Sequence, residues 1–257
     1  MNYKLWAEWY DVVHALAVAG EAPFYVEQAR ESGGPVLEIG VGTGRIAIPM
    51  AQAGIDVTGI DLYEPMLAKA REKLAAAGKL KGKVELLQAD MRDFDLERAF
   101  PLVIIPGRTL LLLRSPADQW RALKRAAAHL SPVGKLILNV FAPTPDLLSD
   151  DSGEPFVMGE TVNPATGRRC KLWAVNHFDT VKQRNDGLQI VEELGSRGKV
   201  LRRVELEVEV RYVYASEMHT LLRSAGLRVT EVYGDFQGSP LSENSDEMVF
   251  VASRLGP

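Results

Sequence analysis

The sequence predicts an α/β protein whose core is a doubly wound, largely parallel sheet. Two observations carry this prediction. Short runs of β-branched and aliphatic residues alternate with apolar patterns of helical period along most of the chain. The run 36–39 also leads through a glycine-rich turn into a helical pattern at 46–51. With 257 residues, of which 46% are hydrophobic, the chain has ample material for one large core plus an appendage.

The glycine-rich turn holds Gly40, Gly42 and Gly44 in alternate positions. Glycine loses more backbone entropy on folding than other residues, so three in one turn indicate positive φ angles or a ligand that approaches the backbone closely. The dinucleotide-binding fingerprint requires its third glycine at the sixth position, where this chain has Arg45. An acid, Glu38, precedes the first glycine by two residues. The spacing therefore disfavours a phosphate-binding loop.

Two further acids follow the second and third predicted strands. Asp61 lies about 20 residues after Gly40, where doubly wound nucleotide sites carry a ribose-binding carboxylate. The same residue also suits the N-cap of the predicted helix 64–77, and this alternative stays open. Asp90 follows the predicted strand 84–87. Acids thus recur at the edge of the sheet where the glycine-rich turn lies.

The E-x-G-x-G-x-G pattern of 38–44, in register with Asp61 and Asp90, resembles the class I S-adenosylmethionine (SAM) dependent methyltransferases. In that family the loop wraps the methionine end of SAM. The resemblance implies cofactor contacts from Tyr10, Glu38, Gly40, Gly42, Thr43, Gly44, Asp61, Leu62, Met66, Asp90 and Met91.

The resemblance also implies which part of the cofactor each of these residues contacts. The carboxylate of Asp61 is expected to accept both ribose hydroxyls, while Leu62 and Met66 pack on the adenosine. Asp90 is expected to accept from the adenine amino group, and the backbone amide of Met91 to reach a ring nitrogen. Together these contacts describe a SAM site rather than a phosphate site.

Near the start of the chain, aromatic residues at helical spacing predict an amphipathic helix laid on the domain. Within it, Trp9-Tyr10-Asp11 resembles the aromatic-Tyr-Asp signature of many small-molecule methyltransferases. That resemblance implies that Tyr10 closes over the SAM pocket. Packing alone is the alternative explanation of the aromatic stripe.

The remaining core pattern is consistent with the family's sheet. Strands are predicted at 101–105, 135–141, 227–233 and 247–252, helices at 116–130 and 216–225, and a turn at 131–134. The resemblance implies a Rossmann-like, doubly wound seven-stranded sheet of order 3-2-1-4-5-7-6 with the last strand antiparallel.

Between the fifth and sixth core strands the periodicity changes to two. Alternation in 169–175, 189–194 and 204–210 predicts three or more antiparallel strands, with turns near 185–187 and 196–198. The core is therefore assigned to 1–144 and 213–257, and a small antiparallel insert to 145–212. Its predicted role is a lid, a substrate wall or a dimer surface. The glutamates at 205, 207 and 209 are interpreted as a solvent face, so no metal site is predicted.

Charge and cysteine content restrict partners and location. A net charge of -4 offers no general attraction to nucleic acid or an anionic membrane. The apolar run 102–113 is too short and too often interrupted to span a bilayer. A single cysteine, Cys170, favours a reducing, cytoplasmic location.

The predicted function is SAM-dependent methyl transfer to a small-molecule acceptor by in-line displacement. Substrate contacts are expected from His14, Arg108 or His177, and no residue is assigned as catalytic. Two alternatives stay open. A protein or RNA methyltransferase could use the arginine doublets 168–169 and 202–203, and an NAD-dependent oxidoreductase is supported by Asp61 but opposed by the glycine spacing.

Asp61→Ala is predicted to weaken SAM binding by about 1.5–3 kcal/mol, the scale of hydrogen bonds to a charged group. Calorimetry with SAM, S-adenosylhomocysteine and NADH measures the loss and separates the cofactor classes. An unchanged affinity for SAM would favour the alternative that Asp61 only caps the next helix. Binding of NADH alone would contradict a methyltransferase.

Overall fold

The computed structural model describes residues 1–16, 20–149 and 153–256. Residues 150–152 of the predicted insert lie outside the described residues. The fold is α/β, with one seven-stranded sheet, the core sheet, and a separate five-stranded sheet, the insert sheet. Among the described residues, no helix is long and apolar enough to cross a bilayer.

The described residues form twelve strands, and the predicted core strands other than the fifth begin and end close to their predicted positions. In chain order the twelve strands are β1 (Val36–Ile39), β2 (Val57–Asp61), β3 (Val84–Gln88), β4 (Phe100–Ile105), β5 (Leu130–Phe141), β6 (Phe156–Val162), β7 (Arg169–Val175), β8 (Phe178–Asp179), β9 (Arg184–Leu194), β10 (Val200–Arg211), β11 (Leu227–Tyr233) and β12 (Glu247–Arg254).

The core sheet has the order β11-β12-β5-β4-β1-β2-β3. This confirms the order that the resemblance implied, with β11 and β12 as the sixth and seventh core strands. The five strands from β1 to β5 run parallel, whereas β12 is antiparallel to both β5 and β11. Because parallel strands end at one edge of a sheet, the loops after β1 to β4 converge there.

Seven helices accompany the strands in the described residues. They are α1 (Tyr3–Val13), α2 (Glu21–Ser32), α3 (Ala47–Gln52), α4 (Glu64–Ala77), α5 (Pro116–Ala128), α6 (Pro145–Ser149) and α7 (Ala215–Ser224). The sequence did not predict α2. Its Pro23 lies in the first turn, where the missing N–H removes no intrahelical bond. Tyr25 and Ala29 of this helix are fully buried in the core.

The fifth core strand begins earlier than predicted. Residues 131–134, predicted as a turn, are part of β5, and the pairing register with β4 shifts across them. Phe100 pairs with Leu130, but Leu102 pairs with Lys135. The extra residues are accommodated as a bulge, which bends a strand without ending it.

The insert sheet has the order β10-β9-β7-β6, with β8 on β9, and all its pairs are antiparallel. The turn predicted near 196–198 is present as a short 3₁₀ helix. The turn predicted at 185–187 is wrong, because those residues pair with β10 inside β9. Gly187 is needed there for packing: a Cβ at this position would lie 2.3 Å from the carbonyl oxygen of Val175.

Helix α1 packs between the insert sheet and the core. Its buried Trp9, Val12 and Val13 form a cluster with Cys170, Leu172, Val191, Val204 and Leu206 of the insert. On the other side α1 contacts α4. The predicted amphipathic helix is therefore confirmed, but its apolar face meets the insert rather than the core.

Gly59→Ala is expected to destabilise the protein by about 1–3 kcal/mol, the usual cost of overpacking a core. A Cβ at Gly59 in β2 would lie 2.6 Å from Cγ2 of Val41, which is itself buried in the glycine loop. Urea unfolding measures the change. In the double variant Gly59→Ala/Val41→Ala the contacts with both Cγ atoms are removed and only Cβ of residue 41, 2.8 Å away, still crowds the new Cβ, so its loss should be smaller than the sum of the two single losses. Additive losses would contradict this contact.

Candidate active site

A cavity of about 650 Å³ lies between the carboxyl edge of the core sheet and the insert sheet. Its core side is formed by the loops after β1 to β4, and its far wall by residues of β6, β7, β9 and β10. The predicted site residues that line it are Tyr10, His14, Gly40, Gly42, Asp61, Leu62, Met66, Asp90, Met91 and Arg108.

Asp61 ties the end of β2 to the glycine loop. Its Oδ2 accepts from the backbone N of Gly42 at 2.9 Å, and its Oδ1 accepts from the backbone N of Tyr63 at 2.9 Å. Burial raises the pKa of Asp61, and these backbone donors oppose the rise. The N-cap position of α4 is Tyr63, not Asp61. The carboxylate therefore faces the cavity and the loop together, rather than the first turn of the next helix.

Asp90 lies beside the cavity, but its carboxylate already has a cationic partner. Nη2 of Arg92 lies 2.6 Å from Oδ2 of Asp90, and the backbone N of Arg92 donates to Oδ1 at 2.9 Å. The hydrogen bonds from Arg92 hold the pKa of Asp90 below its usual range. A ligand that contacts Asp90 thus meets a paired, ionised carboxylate.

Glu38, also predicted to bind the cofactor, is not part of the cavity lining. Its side chain is 1% exposed, and Oε2 has no hydrogen-bond partner among the described residues. Burial raises the pKa of Glu38 well above its usual value, while the nearby Arg45 opposes the rise. Glu38 is therefore buried outside the cavity lining, and its contact with the cofactor stays a prediction.

Three further predicted residues also lie outside the lining. The hydroxyl of Thr43 points away and donates to Oδ1 of Asp11 at 2.8 Å. Gly44 faces α3, where a Cβ would lie 3.1 Å from Cδ1 of Ile48. His177, proposed from sequence as a substrate residue, lies on the turn after β7, and its backbone N donates to Oδ1 of Asn185.

His14 and Tyr10 form an aromatic pair at the cavity wall. Their rings stack with centroids 3.9 Å apart, and Nδ1 of His14 lies 3.0 Å from the carbonyl oxygen of Tyr10. Because a carbonyl only accepts, Nδ1 carries the proton and Nε2 carries the lone pair. Burial, followed by the charge of Arg45, lowers the pKa of His14 to about 3. The ring is therefore neutral at physiological pH.

Arg108 adopts a left-handed backbone conformation at φ 60° on the loop after β4. Its Nε donates to Oε1 of Glu247 at 2.8 Å, and its guanidinium lies over the ring of Phe141. The preceding Gly107 N donates to Oε1 of the buried Glu21 at 2.8 Å. The buried carboxylates of Glu21 and Glu247 therefore hold the strained backbone of this loop in place.

The sequence did not identify the insert residues that line the cavity. They include Phe156, Met158, Ala174, Val175, Asn176, Leu188, Gln189, Val208 and Val210. Period-two alternation signalled that each strand has an inner face, but not which element covers it. A contiguous side pocket of about 150 Å³ adds Glu21, Asn139 and Leu16 to the walls. Among the described residues no His, Cys, Asp and Glu cluster could hold a metal ion.

The chain was compared with known families, proteins and structures. Residues 36–134 match the family described as methyltransferase domain. The cypemycin N-terminal methyltransferase of a Streptomyces species is 27% identical over 251 residues, which cover 96% of this chain and 95% of that protein. The CcbJ methyltransferase structure from Streptomyces caelestis is 27% identical, with a TM-score of 0.73 over 92% of this chain and 94% of its own.

A SAM-bound structure is also similar. CalS10, an amino pentose methyltransferase from Micromonospora echinaspora, gives a TM-score of 0.73 at 22% identity and covers 96% of both chains. Fold, cavity and matches together define a Rossmann-like methyltransferase. The domain match and the similar methyltransferases that span nearly the whole chain identify a SAM-dependent methyltransferase whose cofactor is SAM. These matches favour the methyltransferase over the NAD-dependent oxidoreductase that the sequence left open.

The cavity lining fits SAM. The carboxylates of Asp61 and Asp90 provide acceptors for hydroxyl and amino hydrogens. At Gly42, a Cβ would lie 3.4 Å from Cε of Met66 and 3.8 Å from Cζ of Tyr10, so its absence leaves room for a ligand against the backbone. The cavity of about 650 Å³ is also in the range of small-molecule sites.

Glu38→Gln is expected to change how stability depends on pH. Because burial raises the pKa of Glu38, the folded protein holds a proton that the unfolded chain releases, and wild-type stability falls as pH rises above about 4.5 through the folded pKa. Glutamine has no such proton. Relative to wild type, Glu38→Gln should therefore gain about 1–3 kcal/mol at pH 8, the cost of an unsatisfied buried polar group.

Urea unfolding of both proteins at pH 5.0, 6.5 and 8.0 measures this difference. The gain should grow with pH and be smallest at pH 5.0. A difference that stays constant with pH would show that Glu38 keeps its ordinary pKa in the folded state.

Proposed function

We propose that this methyltransferase transfers the SAM methyl group to an amine nitrogen of a small-molecule acceptor held between the core and the insert. The observation that carries the proposal is the single cavity of about 650 Å³ that reaches from Gly40 and Gly42 to the insert strands. Cofactor and acceptor therefore share one continuous space, as direct methyl transfer between them requires.

The acceptor half is apolar with a few polar groups. Its walls include Trp6, Phe141 and Leu188, and its polar groups include His14 and Gln189. Oε1 of Gln189 is buried without a hydrogen-bond partner among the described residues, so it is available to an acceptor's donor group. Such lining is typical of small-molecule sites.

His14 favours an amine over a hydroxyl. Alcohols need a strong general base, whereas the pKa of His14 is lowered to about 3. A neutral amine already has a lone pair and needs only orientation. Nε2 of His14 can accept one amine N–H and direct the lone pair toward the methyl carbon.

When bound, SAM supplies a methyl carbon on a positively charged sulfur that leaves as a neutral thioether. The protein positions the two reactants and excludes water. The glycine loop and Asp61 hold the cofactor on one side of the cavity, and the insert strands exclude water on the other side. The methylated ammonium then releases its proton to solvent, so no buried base is required.

The names of similar proteins agree with this acceptor class. The cypemycin enzyme is named for an N-terminus and CalS10 for an amino pentose. The alternative of an RNA substrate has less support, because the arginine doublets form ion pairs. Arg168 pairs with Glu193, Arg169 with Glu160, Arg202 with Glu8, and Arg203 with Glu192 and Glu205. A homodimer through the insert and a cytoplasmic location remain predictions.

With a panel of primary amines of different basicity, kcat/KM is expected to rise with pH along the ammonium pKa of each acceptor. No limb near pH 6.5 should be shared by all acceptors, because His14 stays neutral throughout. S-adenosylhomocysteine release measures the rate, and matched alcohols should give none. Faster turnover of alcohols, or a common limb near pH 6.5, would contradict the proposal.

A variant pair separates orientation from folding. His14→Phe should lower kcat about tenfold or more, since it removes one hydrogen bond to the acceptor, with little change in SAM affinity. His219→Gln is the control, because His219 is exposed on α7 outside the cavity lining.

A further inference from the structure

Helix α1 contacts its two neighbours by different chemistry. Toward the insert it buries Trp9 and Val12, which are each 2% exposed, in an apolar cluster. Its Trp6 Nε1 also donates to the carbonyl oxygen of Glu207 at 3.0 Å. Toward the core, Tyr3 stacks on Tyr63, and the polar contacts of α1 centre on the carboxylate of Asp11. An apolar cluster therefore joins α1 to the insert, whereas a stacked tyrosine pair and polar contacts join it to the core.

The ionic contact on the core side centres on Asp11. Nζ of Lys73, on α4, lies 2.9 Å from Oδ2 and 3.0 Å from Oδ1 of Asp11. The hydroxyl of Thr43, in the glycine loop, donates to Oδ1 at 2.8 Å, and Nζ of Lys73 lies 3.3 Å from the same hydroxyl. One carboxylate thus joins three separate elements.

These three elements surround the cofactor end of the cavity. Tyr10 precedes Asp11 in the chain and lies against Gly42, whose Cβ position would be 3.8 Å from the tyrosine Cζ. Gly42 precedes Thr43, and Met66 of α4 also lines the cavity. Fixing Asp11 therefore fixes the separation between the aromatic wall and the glycine loop. Such preorganisation increases affinity, because less ordering is needed when the ligand binds.

We propose that Asp11 is a positioning residue for the cofactor: with Thr43 and Lys73 it forms a latch that holds helix α1 on the glycine loop, while the apolar cluster holds α1 on the insert. Thr43 acts through this latch rather than by contact with SAM. This inference does not depend on which acceptor is methylated.

The test is the affinity for S-adenosylhomocysteine, measured by calorimetry with the full chain. Asp11→Asn and Lys73→Met should each raise Kd about five- to tenfold, a range set by a part-exposed ion pair with an added hydroxyl bond. The double variant should be no weaker than the weaker single variant, because both remove the same latch. Changes below twofold, or additive losses in the double variant, would overturn the proposal.

Two matched pairs separate positioning from general stability. Thr43→Ser keeps the hydroxyl and should bind like wild type, whereas Thr43→Val should raise Kd. Glu8→Gln breaks the ion pair to Arg202, 2.6 Å long, on the insert side of the same helix and should leave Kd within twofold. Thermal unfolding is recorded for every variant. A Kd that follows the melting temperature across both pairs would show a merely structural role and overturn the proposal.

Discussion

The hydrogen bond between Asp61 and Gly42 is the contact on which the site depends. It spans 2.9 Å and joins the end of β2 to the loop after β1, so the loop cannot move independently of the sheet. Gly42 has φ 54°, a conformation that strains most other residues. The carboxylate of Asp61 and the backbone of Gly42 therefore form one rigid unit, the cofactor corner. The other residues that line the cavity lie around this unit.

One part of the inner face of the insert sheet packs on α1, and another part lines the cavity. Val204 and Leu206 of β10 pack on α1, whereas Val208 and Val210 of the same strand line the cavity. Side chains two apart lie on one face of a strand, so packing and recognition are continuous. The cofactor corner belongs to the core and the opposite wall to the insert.

Buried charges organise the loop after β4. Glu21 accepts from Gly107 N and pairs with Arg45 at 2.6 Å, while Glu247 pairs with Arg108. An ionised carboxylate that is buried away from water destabilises the fold unless cations and hydrogen bonds offset its lost hydration. Here the compensation fixes a strained backbone beside the acceptor half of the cavity. Burial, followed by the positive charge of Arg45, lowers the pKa of His14, so the same arginine that pairs with Glu21 also helps to keep the His14 ring neutral.

From the sequence alone, local patterns predicted the core strands, because their short apolar runs alternate with helical patterns. The order of the sheet and the cofactor class followed from the resemblance of 38–44, Asp61 and Asp90 to the class I methyltransferases. The sequence also indicated the insert through period-two alternation. Tertiary structure decided what those side chains face. The hydroxyl of Thr43 donates to Asp11 instead of facing the cavity. Residues 185–187 lie in a strand instead of a turn, because they pair with a strand that is distant in sequence. Helix α2 and its Glu21 were not apparent from local pattern. Their importance comes from Gly107 and Arg45, which only folding brings near.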